Sequence, residues 1–222
     1  MLYLVPTPIG NLQDITVRAL DVLKSVDLIA CEDTRTSAKL LNHYDIRVPR
    51  TSYHDHNERG RAPQLIEKMQ AGQRVALISD AGSPGISDPG FYLVRACIEA
   101  GIKVEALPGP TAIIPALTVS GLPCERFVYE GFLPVKKGRQ TRLTQLAEEP
   151  RTRVFYESPH RILKTLTNFE ATFGADRPAA VVREISKTFE EVQRGSLEAL
   201  KKYFTEKNKV KGEFVIVVGG KR

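Results

Sequence analysis

The residues Ser79-Asp-Ala-Gly-Ser-Pro-Gly-Ile-Ser-Asp-Pro-Gly90 gather carboxylates, hydroxyls and glycines directly behind the apolar run Val75-Ala-Leu-Ile78. Asp80 and Asp88 can face a cation or accept a proton, and Ser79, Ser83 and Ser87 can donate hydrogen bonds. The glycines let backbone approach a ligand closely, while the prolines limit the freedom of the segment. Glu32-Asp-Thr-Arg35 sets acid, acid, hydroxyl and base behind Leu28-Ile-Ala-Cys31. Tyr53-His-Asp-His-Asn-Glu-Arg59 places two imidazoles around a carboxylate. A third and fourth ligand at metal spacing are missing, so this stretch reads as a polar loop that touches substrate, with no metal. Further on, Tyr156-Glu-Ser-Pro-His-Arg161 and Arg183-Glu-Ile-Ser-Lys187 each set a glutamate beside a base. Such pairs serve either as structural ion pairs or as contacts to an anionic substrate, with Arg161, Arg183 or Lys187 on phosphate. Lys136-Lys-Gly-Arg139 and Arg142 form a basic loop suited to a nucleic-acid backbone.

These residues need elements that bring them to one place. Short apolar runs at Leu2-Tyr-Leu-Val5, 28–31, 75–78 and 104–107 read as strands. Helical periodicity lies between them: one helix behind an Asp14 cap, one through Leu40 and Leu41, one around Leu65, Ile66 and Met69, and one over 91–100. Residues 50–61 read as a polar connection. Pro108-Gly-Pro-Thr-Ala112 opens a further helix with proline at its start. Alternating strands and helices predict a parallel α/β sheet, whose ligands bind outside the carboxyl ends of the strands. Gly121-Leu-Pro123 marks the boundary between a domain over 1–121 and a second α/β domain over 122–222. The second carries strands at 127–131, 153–156, 180–183 and 214–218, and helices around 140–149, 159–172 and 196–204.

Composition narrows the function classes. At 222 residues the chain allows one large or two small domains. No apolar run approaches bilayer-spanning length and the N-terminus has no signal-peptide layout, so a cytoplasmic protein without a membrane partner is expected. The three cysteines are scattered singly, as core thiols in a reducing compartment are. Neither G-x-G-x-x-G nor G-x-x-x-x-G-K-[ST] is present, which argues against dinucleotide and P-loop sites. The net charge of +6 is uneven: residues 1–121 carry 12 Lys and Arg against 13 Asp and Glu, whereas 122–222 carry 20 against 13. A basic half, with Lys201, Lys202, Lys207, Lys209 and Lys211 crowded near its end, suggests an anionic partner such as nucleic acid.

Taken in order, Val5-Pro-Thr-Pro-Ile-Gly-Asn-Leu12, Cys31-Glu-Asp-Thr-Arg35, the 79–90 loop, Pro108-Gly-Pro-Thr-Ala112, Phe155-Tyr-Glu-Ser-Pro-His-Arg161 and Arg183-Glu-Ile-Ser-Lys-Thr-Phe-Glu-Glu191 form a recognisable set. With them the chain, over about residues 2–219, resembles the bacterial small-subunit ribosomal RNA 2′-O-ribose cytidine methyltransferases. That family lies within the tetrapyrrole-methylase (class III) superfamily, which depends on S-adenosylmethionine. The resemblance implies two α/β domains with the methyl donor in the cleft between them, and a homodimer. It implies donor contacts from Pro8, Gly10, Asp80, Ala81, Gly82, Ser83, Thr111, Ala112, Tyr156 and Ile185. For the reaction it leaves Glu32, Asp33 and Glu184 as candidate bases, and Arg35 and Lys187 as candidate electrostatic stabilisers. His54, Asn57, Arg59, Lys136, Lys137, Arg139 and Arg161 are the expected contacts to ribosomal RNA or to an assembled small subunit. Members often continue past the final glycines with a further small segment, so a shortened chain is an expectation too. The alternatives are a methylase acting on a tetrapyrrole or protein, or a non-catalytic RNA-binding relative.

Overall fold

A computed structural model describes residues 1–207 and 210–221; Lys209 lies outside them. The chain divides into two compact units, Met1–Thr111 and Ala112–Arg222. In the first unit β1 (Leu2–Leu4), β2 (Leu28–Cys31), β3 (Arg50–Ser52), β4 (Val75–Ile78) and β5 (Val104–Ala106) form one sheet in the order β3-β2-β4-β1-β5. Every pairing is parallel. Between the strands run α1 (Val17–Ser25), α2 (Thr34–His43), α3 (Glu58–Gln70) and α4 (Phe91–Glu99).

The four residues of β4 are all buried, as a parallel strand covered on both faces requires. Their alternation sends Ala76 and Ile78 to a core with Leu23 of α1 and Leu41 of α2. Val75 and Leu77 point the other way, into a core with Leu65 and Met69 of α3 and Leu93 and Cys97 of α4. The cap of α1 is Thr16, whose side chain accepts from the Ala19 N–H at 3.1 Å, and not Asp14. Asp14 ends a 3₁₀ turn (Leu12–Asp14) capped by Asn11, which pushes the helix start two residues on. β3 runs where a polar connection was expected.

The second unit contains α5 (Ile113–Ser120), β6 (Phe127–Phe132), α6 (Arg139–Ala147), β7 (Thr152–Glu157), α7 (Ile162–Phe173), β8 (Pro178–Arg183), β9 (Glu191–Ser196), α8 (Leu197–Glu206) and β10 (Phe214–Val218). The sheet order is β6-β7-β10-β8-β9, and only β6 with β7 is parallel. One face packs on α5 through Ile113, Ala116 and Leu117 against Val182, Val215 and Val217. The other face is covered by α6, α7 and α8, with Leu143, Phe169 and Phe204 against Phe155, Val181 and Ile216. Because α5 is buried on β8 and β10, the chain divides at 111/112 and not at the expected 121/122.

Candidate functional site

Parallel strands all leave the sheet at the same edge, so the five loops that follow β1 to β5 share it. β4 lies between β2 and β1, and its onward connection runs to β5, opposite in direction to theirs. That reversal is a topological switch point, where open α/β sheets bind ligands. The loop after β4 is Ser79–Gly90. It is anchored by a bridge between Thr7 and Gly82, each N–H donating to the other's carbonyl at 2.9 Å. Thr7 Oγ1 donates to the Ser79 carbonyl at 3.1 Å, and Ser83 Oγ to the Pro110 carbonyl at 3.3 Å. The loops after β1 and β5 touch so closely that a Cβ on Gly109 would sit 2.7 Å from Cβ of Pro6. Only glycine permits that approach.

Carboxylates meet on this edge. The Asp33 N–H donates to Asp80 Oδ1 at 3.1 Å, which ties the β2 loop to the β4 loop. Burial, with Asp80 nearby, raises the Glu32 carboxyl above its ordinary value. Burial and then the charge of Glu32 push Asp88 up to about 6, despite a hydrogen bond from Ser79. Burial, set against the Asp33 N–H that it accepts, also leaves Asp80 raised. Asp33 is the exception. Its side chain caps α2 through the Arg35 N–H at 2.8 Å and pairs with the Arg35 guanidinium at 3.0 Å, which lowers it.

The β3 loop adds an imidazole held by Asn57. Asn57 Oδ1 accepts from the His54 backbone N–H at 2.9 Å, so its amide nitrogen faces His54 Nε2 at 3.0 Å. The Asn57 amide thus occupies Nε2 and leaves Nδ1 as the ring's other nitrogen. That Nδ1 is buried without a hydrogen-bond partner among the described residues. Arg59 is exposed one turn along.

Pro8, Gly10, Asp80, Ala81, Gly82, Ser83 and Thr111, with Glu32, Asp33, Arg35, His54, Asn57 and Arg59, therefore all belong to the carboxyl edge of the first sheet. Asp88 joins them, a loop carboxylate that the sequence marks but that does not stand among the expected donor, base or RNA contacts. In the second unit, Ala112 is the N-cap of α5, without a side-chain cap bond. Tyr156 lies near the end of β7 and packs edge-on against Tyr129 at 5.4 Å and tilted against Phe132 at 5.5 Å between centroids. This aromatic group was not visible in the sequence, because its members come from two strands. Ile185 sits between Glu184 (φ 51°) and Ser186 (φ 66°), two left-handed non-glycine residues. Glu184 accepts from Glu213 N–H at 2.9 Å and from Lys187 Nζ at 3.0 Å, and Lys187 also reaches Glu213 at 2.8 Å. Burial alone would raise Glu184, but these donors outweigh it and hold the carboxyl low.

Among the basic candidates, Lys136 and Lys137 are exposed. Arg139 departs from the expected RNA-facing role. It is 7% exposed and donates to Asn168, the Pro134 carbonyl and Thr165 Oγ1, which fixes α6 on α7. Arg161 is half-buried, paired with Glu157 at 3.2 Å and bonded to the Leu133 carbonyl at 2.7 Å.

A parallel α/β unit with a polar carboxyl edge, followed by a mixed-sheet α/β unit, places the chain among two-unit α/β proteins with a ligand-type sheet edge. The chain belongs to the tetrapyrrole (corrin/porphyrin) methylases, whose family model matches residues 1–201. It is 55% identical to a Ribosomal RNA small subunit methyltransferase I of a Synechocystis species, over 99% of this chain and 79% of that protein. To the protein of the same description in Escherichia coli O157:H7 it is 52% identical, over 99% and 77%. The fold is similar to that of a uroporphyrin-III C-methyltransferase from Thermus thermophilus, at a TM-score of 0.68 and 22% identity, covering 98% of this chain and 93% of that one. A cobalt precorrin-4 methyltransferase also matches at 0.68, with 19% identity over 98% and 94%.

The family's methyl donor is S-adenosylmethionine. The loop after β4 fits such a ligand. Its exposed Asp80 and Ala81 offer a carboxylate and open backbone, and the donor carries a sulfonium and an ammonium that suit the acidic edge. No helix among the described residues is long and apolar enough to cross a membrane.

Proposed function

We propose that this chain transfers a methyl group from S-adenosylmethionine to the ribose 2′-oxygen of a cytidine in small-subunit ribosomal RNA. The observation that carries the reading is the acidic carboxyl edge of the first sheet, in a chain with more than half its residues identical to the Synechocystis small-subunit RNA methyltransferase. Its basic second half suits an RNA acceptor better than a macrocycle. The bound donor supplies an electrophilic methyl carbon.

Pro8, Gly10, Asp80 to Ser83, Thr111, Ala112, Tyr156 and Ile185 are the proposed donor contacts. Of the three candidate bases, Glu32 is best suited: its carboxyl is raised, so it retains more affinity for a proton than Asp33 or Glu184, both held low. Glu32 takes the 2′-hydroxyl proton while Arg35, exposed at the same edge, stabilises the developing oxyanion. Lys187, bound between Glu184 and Glu213, keeps the Ile185 turn in shape. His54, Asn57 and Arg59 touch the target nucleotide, and Lys136 and Lys137 its flanking phosphates.

The enzyme works in the cytoplasm, as a homodimer, on rRNA or on the assembled subunit. Labelled S-adenosylmethionine, incubated with unmodified small subunits and with free RNA, tests this. Label recovered on a cytidine 2′-oxygen supports the reading, and label on any other acceptor replaces it. Sedimentation equilibrium at twice the chain mass supports the dimer.

A further inference from the structure

At the sheet edge of the second unit where β7 and β8 begin and β10 ends lies an open cavity of about 710 Å³, lined by residues that include Arg126, Arg151, Lys221, Pro150, Gly219 and Gly220. Tyr156 and Ile185, near the far ends of β7 and β8, lie at the opposite edge of the same sheet. The cavity is therefore separate from the proposed donor contacts of this unit.

Its electrostatics are unusual. Arg153 is fully buried, with its guanidinium spent on the Leu146 carbonyl at 2.7 Å and on the Gly219 carbonyl of the cavity wall. Its Nε has no hydrogen-bond partner among the described residues, and a Phe173 ring lies 4.2 Å from its guanidinium carbon. Arg177 bonds the neighbouring Gly220 carbonyl. Burial, with Arg177 close by, pushes Arg153 down to about 10. Two guanidinium groups thus reach the wall carbonyls without a carboxylate bonded to either. At the cavity itself, Arg126 has no partner among the described residues. Arg151 spends Nε and Nη2 on Glu149 and leaves Nη1 open, and Lys221 bonds Glu148. Glu125 is the one carboxylate among the described lining residues, while Glu149 and Glu148, just outside it, hold Arg151 and Lys221. Glu149 and Glu130 lie near enough to favour the Arg153 charge, yet burial outweighs them, and an anion in this cavity would add to their support of the buried cation.

We infer that this cavity is an anion subsite that takes a backbone phosphate of the RNA substrate, with Arg126 and Arg151 as its reaching groups. The inference rests on RNA being the acceptor, and it adds a contact on the second unit remote from Tyr156 and Ile185. A phosphodiester accepts from a guanidinium fork with two parallel hydrogen bonds, which Arg126 can still make.

The test is the binding of a fluorescein-labelled small-subunit rRNA fragment, measured at several KCl concentrations, to the full chain and to Arg126→Glu and Arg151→Glu. Arg126→Gln serves as a variant without added repulsion, and Lys164→Glu as a charge control on α7. Arg126→Glu should weaken RNA binding roughly tenfold or more at low salt, and Arg126→Gln should reduce the logarithmic salt slope by about 0.7 for one lost phosphate. S-adenosylmethionine affinity and melting temperature should stay as in the parent. RNA affinity and slope equal to the parent's in both Arg126 variants would overturn the subsite. So would an equal loss in Lys164→Glu, which would mark a general charge effect. Inorganic phosphate that protects the cavity without RNA depending on Arg126 reduces the site to a free-anion pocket and also overturns the proposal. If the parent binds S-adenosylmethionine but no RNA, the acceptor reading itself fails.

Discussion

Glu32 and Asp33 are adjacent in sequence and alike in chemistry, yet their environments set them to different work. Asp33 is spent on the α2 cap and on Arg35, whereas Glu32 lies half-buried among other carboxylates. Glu32→Gln should lower methyl transfer at saturating donor by about 10²- to 10⁴-fold, with donor affinity held within about twofold in calorimetry. An unchanged turnover would leave the enzyme working by positioning alone. With the raised carboxyl as base, the parent rate should fall on the acid side at a pH above that of an ordinary glutamate. Asp88 makes a second, separable prediction about stability. Its folded value is raised to about 6 from an ordinary 3.8, so the native state holds this proton more tightly than the unfolded chain does. Stability contributed by this group is therefore present below about pH 4 and lost as pH rises towards 6. Asp88→Asn should gain about 1–2 kcal/mol over the parent at pH 8, after a discount for its partial exposure, and nothing at pH 4. Urea unfolding at the two pH values measures the difference.

At the scale of elements, most of the first unit was legible. Strands such as Val75–Ile78 are continuous apolar runs, and their polar exit loops stand out against them. Two strands were not legible, for a shared reason. β3 and β9 are edge strands rich in Arg, Thr, Ser, Glu and Gln, so neither apolar runs nor clean alternation betrays them. Arg139 failed differently. A lysine- and glycine-rich stretch reads as a solvated loop, and its burial depends on Thr165 and Asn168 of α7, some 26 to 29 residues away. Side-chain chemistry was visible in the sequence, but the company kept across elements was not. The same applies to Gly109, a turn glycine whose real constraint is Pro6. Gly109→Ala should separate the β1 and β5 loops, costing about 1–3 kcal/mol in thermal unfolding. S-adenosylmethionine affinity should fall roughly tenfold; a parent-like affinity would uncouple this contact from the donor site.

For the whole molecule, the charge asymmetry maps onto two units of different sheet type, a parallel one of nearly neutral sequence and a mixed one that is strongly basic. The double change Lys136→Glu and Lys137→Glu should weaken RNA and flatten its salt dependence without touching donor binding. An unaltered salt slope in anisotropy titrations would take that loop off the RNA. The order of the first sheet carries a further consequence, for how the protein is made. β1 and β2 do not pair with each other; each pairs with β4, which follows them by more than forty residues. With only the first seventy residues released by the ribosome, β2 can pair with β3 but β1 has no partner strand, and the gap that β4 fills stays open. β1 should join the sheet only when Val75–Ile78 emerges, with amide protection in β1 appearing on arrested nascent chains at that length. Until then Leu2, Ile29 and Ala30, all fully buried in the finished fold, lack the β4 strand that covers them.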